Sequence, residues 1–180
     1  MKHLAIVIDW YGPYSMSDAL RAAKSDGFSV GLYLAIGKRP YQRKSEAQYV
    51  GLSTWLATRL ANHHKLPTIT KDVKLWLGEV STAEPPGKKI RSTSATLDYA
   101  EWLHAYFMKL PLNSKKTRQP PPKPVTVLNR WWRTDYETPW VKRPDAAWPD
   151  LIDFLGSEYS AKLVWFGKKM KRVQPPFNQR

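Results

Sequence analysis

The chain has 180 residues, enough for one domain with a sizeable core and too few for two ordinary globular domains. Its 29 Lys and Arg residues outnumber its 15 Asp and Glu residues, and the formal net charge of +14 indicates a polyanionic partner. Cysteine is absent, which excludes a disulfide framework, a thiolate nucleophile and a cysteine-ligated zinc site.

The N-terminal apolar run, residues 4–10, predicts a buried strand. This run is too short for a signal peptide or a membrane span, so we expect a cytoplasmic protein with no membrane partner. A helix is predicted next over residues 17–26, with Ser15 or Ser17 as its N-cap and Gly27 at its end.

Two further strands are predicted over residues 29–36 and 47–53. The segment between them contains glycine, proline and four cations, and it predicts a hairpin loop that contacts nucleic acid through Lys38, Arg39, Arg43 and Lys44. A helix over residues 55–65 follows, and it carries Arg59 and His63 four positions apart on one face.

A half-buried strand is predicted over residues 72–80, and a long helix over residues 95–110 carries Glu101 among apolar neighbours. Residues 114–124 are cationic and rich in proline, which predicts an extended arm on the surface. Nucleic-acid contact is one option for this arm, through Lys115, Lys116 and Arg118.

The last third of the chain predicts strands over residues 125–132 and 162–167 around a helix near residues 149–159. We interpret it as a C-terminal extension packed on the main domain. The expected organisation is an N-terminal strand–helix extension, a core, a basic arm and the C-terminal extension, over residues 1–28, 29–113, 114–124 and 125–180.

Five sequence features follow one another between residues 31 and 113: Gly31-Leu32-Tyr33, Tyr49-Val50-Gly51, Arg59 with His63, Glu101, and Asn113. Arg59 lies ten positions after Tyr49, and Asn113 lies twelve positions after Glu101. In order and spacing this set resembles the GIY-YIG nuclease family. Two departures are a longer connection between the tyrosine motifs than is usual in the family and Leu52, where some members carry a lysine.

The resemblance implies an α/β (α+β) fold, with a small central antiparallel sheet of about three strands flanked by helices and additional elements at both termini. It also implies an endonuclease that hydrolyses phosphodiester bonds of duplex or branched DNA and leaves 5′-phosphate and 3′-hydroxyl ends. The implied cofactor is one Mg²⁺ or Mn²⁺ ion, with Glu101 as its protein ligand. Magnesium suits such a site because it keeps several waters and accepts few carboxylates.

By the same resemblance Arg59 holds the scissile phosphate, to which its planar guanidinium is suited. Tyr33 or Tyr49 acts as the base, and the sequence does not choose between them. A tyrosine with an ordinary pKa of about 10 needs a nearby cation to favour the phenolate. His63 is expected to bond the phosphate or a tyrosine, and Asn113 to order the backbone of the site.

Two other functions stay open at this point. The first is a nucleic-acid-binding protein that has lost catalysis, which would bind with a steep salt dependence and would not cut. The second is a nuclease that acts on RNA or on branched DNA. The presence or absence of metal-dependent cutting separates the first from an enzyme, and the substrate that is cut separates the second.

Overall fold

The computed structural model describes residues 3–82 and 94–177, and it contains one sheet of eight strands. The strands are β1 (Leu4–Tyr14), β2 (Gly31–Lys38), β3 (Glu46–Ser53), β4 (Lys71–Val80), β5 (Val125–Trp132), β6 (Leu151–Phe154), β7 (Ala161–Trp165) and β8 (Lys169–Val173). The α-helices of the described ranges are α1 (Met16–Ser25), α2 (Leu56–Ala61) and α3 (Ser94–Met108), and a 3₁₀ turn spans Leu66–Thr68.

The strand order is β3-β2-β4-β1-β5-β6-β7-β8. The expectation of a small antiparallel sheet of about three strands is therefore wrong. Strands β3, β2 and β4 do form an antiparallel group at one edge. However, β1 pairs antiparallel with β4 and parallel with β5, so the N-terminal strand joins this group to the C-terminal strands in one mixed sheet.

The prediction of a helix near residues 149–159 is also wrong, because Leu151–Phe154 forms β6. Ile152 and Phe154 are buried while Leu151 and Asp153 are partly exposed, which is the alternation of a strand with one covered face. Strand β6 pairs with β5 on one side and β7 on the other. Gly156 follows with a φ of 116°, a backbone conformation that a helix does not contain.

Alternate residues of β2 pack into two different cores. Leu32 and Leu34 belong to the core that includes the buried side of α3, whereas Tyr33 and Ala35 belong to the core that includes α1 and α2. Successive side chains of a strand point to opposite faces of its sheet. Tyr33 therefore lies on the face of the sheet that α2 covers.

Candidate active site

The two motif tyrosines lie on adjacent strands, Tyr33 on β2 and Tyr49 on β3. Tyr33 is directly opposite Gly51, and Tyr49 is opposite Ala35. Because each tyrosine faces a small residue across the strand pair, the two rings lie side by side with their centroids 5.8 Å apart. The hairpin thus brings both phenols to one place.

Gly51, the last residue of the second motif, provides the space that the Tyr33 ring occupies. A Cβ atom at position 51 would lie 2.5 Å from both Cζ and the hydroxyl oxygen of Tyr33. Tyr33 is 0% exposed, so it cannot move aside without disturbing its neighbours in the core. The glycine of one motif is therefore required by the tyrosine of the other.

Replacing Gly51 by Ala is expected to lower the free energy of unfolding by about 1–3 kcal/mol, because the new methyl group overpacks a filled core. Urea denaturation followed by tryptophan fluorescence measures this change. In a Tyr33→Leu background the same Gly51→Ala substitution should cost less, since the ring atoms that it meets are gone. An equal cost in both backgrounds would contradict the contact.

Arg59 reaches Tyr33 from α2, which the buried side chains of Leu56 and Leu60 fix to the sheet. The Arg59 Nε atom donates a hydrogen bond to the Tyr33 hydroxyl at 3.2 Å. Burial raises the pKa of Tyr33 well above its usual range, and Arg59 offsets only part of this. The same hydrogen bond raises the pKa of Arg59. A neutral phenol therefore orients a charged guanidinium.

His63 lies beyond α2, because this helix ends at Ala61 and not at residue 65 as the sequence pattern predicts. The His63 Nδ1 atom accepts hydrogen bonds from the backbone N–H groups of Lys65 and Leu66, each at 3.1 Å. These bonds close a tight turn and fix the imidazole ring inside the protein. His63 is 4% exposed.

The buried His63 ring packs edge-on against both tyrosines, with centroid distances of 4.9 Å to Tyr49 and 5.6 Å to Tyr33. Burial lowers the pKa of His63 to about 4, and the positive charge of Arg59 contributes to the decrease. The imidazole is therefore neutral at pH 7. In this geometry His63 holds the two tyrosine rings in place by packing against both of them.

The protein is expected to lose stability between pH 6.5 and pH 4 through His63. Its folded pKa of about 4 is below the ordinary value of 6.5, so the unfolded chain takes up a proton first as the pH falls. The contribution is complete above pH 6.5 and amounts to about 3 kcal/mol at most. Urea denaturation at pH 7 and pH 4.5 measures it.

A His63→Gln variant should be less stable at pH 7 and should show a smaller pH dependence in this window. His64→Gln is the matched control, because His64 is the adjacent imidazole and is exposed. If His63→Gln and the wild-type protein lose the same free energy between the two pH values, His63 is not the titrating group.

Strand β3 lies at the edge of the sheet, and the segment after α3 covers its free side. The Asn113 side chain bonds Val50 twice: Oδ1 accepts from the Val50 N–H at 3.0 Å, and Nδ2 donates to the Val50 carbonyl at 2.8 Å. The Leu112 N–H donates to the Gln48 carbonyl at 2.9 Å. Asn113 thereby orders the backbone next to Tyr49 and brings α3 to the same edge.

Glu101 lies on α3, and its carboxylate forms an ion pair with the Lys116 ammonium. The same ammonium pairs with Asp98, one turn earlier on the helix, with 2.6 Å between Nζ and Oδ1. The Glu101 and Lys116 side chains are only 16% and 19% exposed. Glu101 therefore belongs to a pair of carboxylates that share one lysine.

A cavity of about 480 Å³ opens at this edge of the sheet and brings together Tyr49, Arg59 and Glu101. Tyr33 and His63 are not among its lining residues, and both pack against the ring of Tyr49. The other residues that line it are Leu52, His64, Lys65, Asp98, Asn113, Ser114, Lys115 and Lys116. Four lining residues are cationic and two are acidic, so the cavity suits an anionic ligand.

The cations predicted to contact nucleic acid are not all at this cavity. Lys115 and Lys116 line it, while the β2–β3 loop cations and Arg118 do not lie among the described residues of its wall. Lys38 pairs with Asp72 at 2.8 Å. Of the cations predicted to contact nucleic acid, Arg43, Lys44, Lys115 and Arg118 are exposed, and Arg39 is half-buried.

The sequence pattern did not indicate two groups at the site, Lys65 and Asp98. The Lys65 ammonium donates to the Leu112 carbonyl at 2.7 Å and lies 5.6 Å from the centroid of the Tyr49 ring. Lys65 and the uncharged Leu52 both line the cavity, so Lys65 supplies a cation there. Asp98 could have been found, because it precedes Glu101 by three positions on a predicted helix; Lys65 could not, because its place depends on the turn at His63.

The donor set at Glu101 fits a hard divalent cation. The carboxylates of Asp98 and Glu101 and the carbonyl oxygen of Asp98 already surround one positive group, the Lys116 ammonium. Mg²⁺ and Mn²⁺ prefer such oxygen ligands. Within residues 3–82 and 94–177, no group of three or more His, Cys, Asp and Glu side chains is placed to hold a metal ion.

Comparisons with protein-family models, with curated proteins and with solved structures find no match to this chain. The resemblance to GIY-YIG nucleases therefore rests on the motif residues alone. In the described part of the chain, no helix has both the length and the apolar character needed to cross a membrane.

Proposed function

We propose that this protein is a metal-dependent endonuclease that hydrolyses DNA phosphodiester bonds. The observation that carries the proposal is the shared cavity of Tyr49, Arg59 and Glu101, residues that come from β3, α2 and α3. Phosphodiester hydrolysis needs an activated water, stabilisation of the developing charge and help for the departing oxygen. A phenol, a guanidinium and a carboxylate that holds a cation supply these three functions.

Arg59 binds the scissile phosphate in this proposal. Its Nε is held by the Tyr33 hydroxyl, so the guanidinium points from a fixed position. Tyr49 is the base that positions and deprotonates the attacking water, because it is the motif tyrosine that lines the cavity. Tyr33 is fully buried and burial raises its pKa, so it is a positioning residue for Arg59.

Glu101 would hold the metal ion, because its carboxylate lines the same cavity as Tyr49 and Arg59. When bound, Mg²⁺ would supply Lewis-acid stabilisation of the charge that develops on the phosphate oxygens. Lys65 and Lys115 keep the potential of the cavity positive, which attracts the phosphate backbone. The excess of 29 cationic over 15 acidic residues in the chain supports a nucleic-acid substrate.

The proposal is tested by incubating the purified protein with supercoiled plasmid, linear duplex, branched DNA and single-stranded RNA, each with Mg²⁺ or with EDTA. We expect DNA to be cut in Mg²⁺ and to stay intact in EDTA. DNA ligase should reseal the products, because it joins 5′-phosphate to 3′-hydroxyl ends. Cutting of RNA alone would reject DNA as the substrate.

One observation favours a second candidate, a nucleic-acid-binding protein without catalysis. The carboxylate of Glu101 is already paired with Lys116, and this pair would serve a purely structural role equally well. This candidate predicts that none of the four substrates is cut, in Mg²⁺ or in EDTA. It also predicts binding that weakens steeply as the salt concentration rises.

A further inference from the structure

The Lys116 ammonium contacts three oxygen atoms of two acidic residues on α3. It donates to a carboxylate oxygen of Glu101, to Asp98 Oδ1 at 2.6 Å and to the Asp98 carbonyl at 3.3 Å. An ammonium group has three donors, so all of its hydrogen-bonding capacity is used at one place. The three acceptors are oxygens, the ligand type that hard divalent cations select.

The contact joins two parts of the chain that are distant in sequence. Glu101 lies on α3, while Lys116 lies in the segment after Asn113 and has a φ of 60°, which L-residues rarely adopt. The backbone is therefore held in a left-handed conformation where this lysine reaches back to the helix. Both charged side chains are mostly buried, so solvent screens their attraction less than on an open surface.

We propose that Lys116 is a displaceable occupant of the cation position beside Glu101. Its ammonium neutralises Asp98 and Glu101 in the metal-free protein, and it leaves these oxygens when a divalent cation binds. The inference rests on the proposed metal-dependent function and adds two residues to it. Asp98 becomes a second carboxylate of the site, and Lys116 becomes a competitor that sets the metal concentration needed for occupancy.

If this is so, the Lys116 ammonium and a divalent cation compete for the oxygens of Asp98 and Glu101, and the competition can be measured. Two carboxylates without a bound lysine attract a divalent cation more strongly than two carboxylates that an ammonium holds. Removing the Lys116 charge should therefore tighten metal binding, whereas removal of a catalytic or DNA-binding lysine would have no such effect in the absence of DNA.

Mn²⁺ is the probe, and electron paramagnetic resonance of the free ion at pH 7 without nucleic acid gives its affinity. Lys116→Met is expected to bind Mn²⁺ on the order of tenfold more tightly than the wild-type protein. Lys115→Met is the matched control, because Lys115 lines the same cavity and is exposed. It removes the same charge one residue away, and its effect should stay within about twofold.

Two further variants test the site itself. Glu101→Gln should abolish the gain that Lys116→Met produces, and Asp98→Asn should reduce it. Lys116→Gln provides a second neutral side chain, with circular dichroism to show that each variant is folded. The inference is overturned if Lys116→Met and Lys115→Met change the Mn²⁺ affinity equally, or if neither neutral Lys116 variant binds more tightly than the wild type.

The outcome is separable from that of the proposed function. Tighter Mn²⁺ binding by Lys116→Met without DNA cleavage by any variant would support the inference and reject the nuclease. Mg²⁺-dependent cleavage without a gain in Mn²⁺ affinity would support the nuclease and reject the displaceable lysine.

Discussion

Replacing Glu101 by Gln is expected to abolish Mg²⁺-dependent cleavage of plasmid DNA, with a loss of about 10³-fold or more. The amide has nearly the shape of the carboxylate but lacks the charge that holds a divalent cation. Because the side chain is partly buried and paired with Lys116, the substitution also removes one of the two negative charges that this ammonium contacts. The measurement is the initial rate of plasmid nicking at saturating Mg²⁺.

DNA binding is the control for this variant. Removal of one negative charge from a cavity that already carries more cations than acids should leave DNA affinity unchanged or slightly higher. A filter-binding titration in EDTA measures it. If Glu101→Gln cuts as fast as the wild-type protein, the proposed metal site is wrong.

Replacing Tyr49 by Phe is expected to lower the cleavage rate by about 10²–10³-fold, as removal of a general base does. Tyr49 lines the cavity and Tyr33 does not, so we expect the attacking water to meet the Tyr49 hydroxyl. The ring itself stays, and with it the packing against His63. Cleavage rates at saturating DNA measure the loss.

Tyr33→Phe is the matched comparison, since it removes the same hydroxyl from the neighbouring ring. Arg59 Nε then loses its partner, but the guanidinium stays charged and in place on α2. We expect a smaller loss, about tenfold, from poorer orientation of Arg59. A larger loss in Tyr33→Phe than in Tyr49→Phe would reverse the two roles.

Local patterns predicted most individual elements. Ser15 is confirmed as the N-cap of α1, where its Oγ accepts the Asp18 N–H at 3.1 Å. The strand predicted over residues 125–132 has the bounds of β5. These elements are predictable because helix capping and the alternation of a strand depend only on residues that are close in sequence.

The assembly of the sheet could not be predicted in the same way. Leu4 pairs with Val125, so the central parallel pair joins residues that are 121 positions apart in the chain. The sequence of neither strand identifies its partner, because the apolar run of β1 and the alternating pattern of β5 are each compatible with many pairings. The prediction of a helix at Leu151–Phe154 was wrong for a related reason. Four residues are too few to distinguish a strand from a helix until the neighbouring strands are known.

The spacing in the sequence selected residues that the fold brings close together, but it did not predict how they are arranged. Tyr49, Arg59 and Glu101 were selected from spacing, and they line one cavity. His63 was expected on a helix face, but the helix ends two residues earlier and the imidazole turns inward. The pairing of Glu101 with Lys116 was not foreseen, because it depends on the path of the segment after Asn113.

The contact of Asn113 with β3 also bears on how the protein avoids aggregation. The sheet has two edge strands, β3 and β8, and an open edge is a template for pairing with another molecule. At β3 the Asn113 amide and the Leu112 N–H occupy backbone groups that a foreign strand would need. At β8 the charged residues Lys169, Lys171 and Arg172 oppose such pairing by repulsion. The residue that orders the site therefore also closes the sheet beside it.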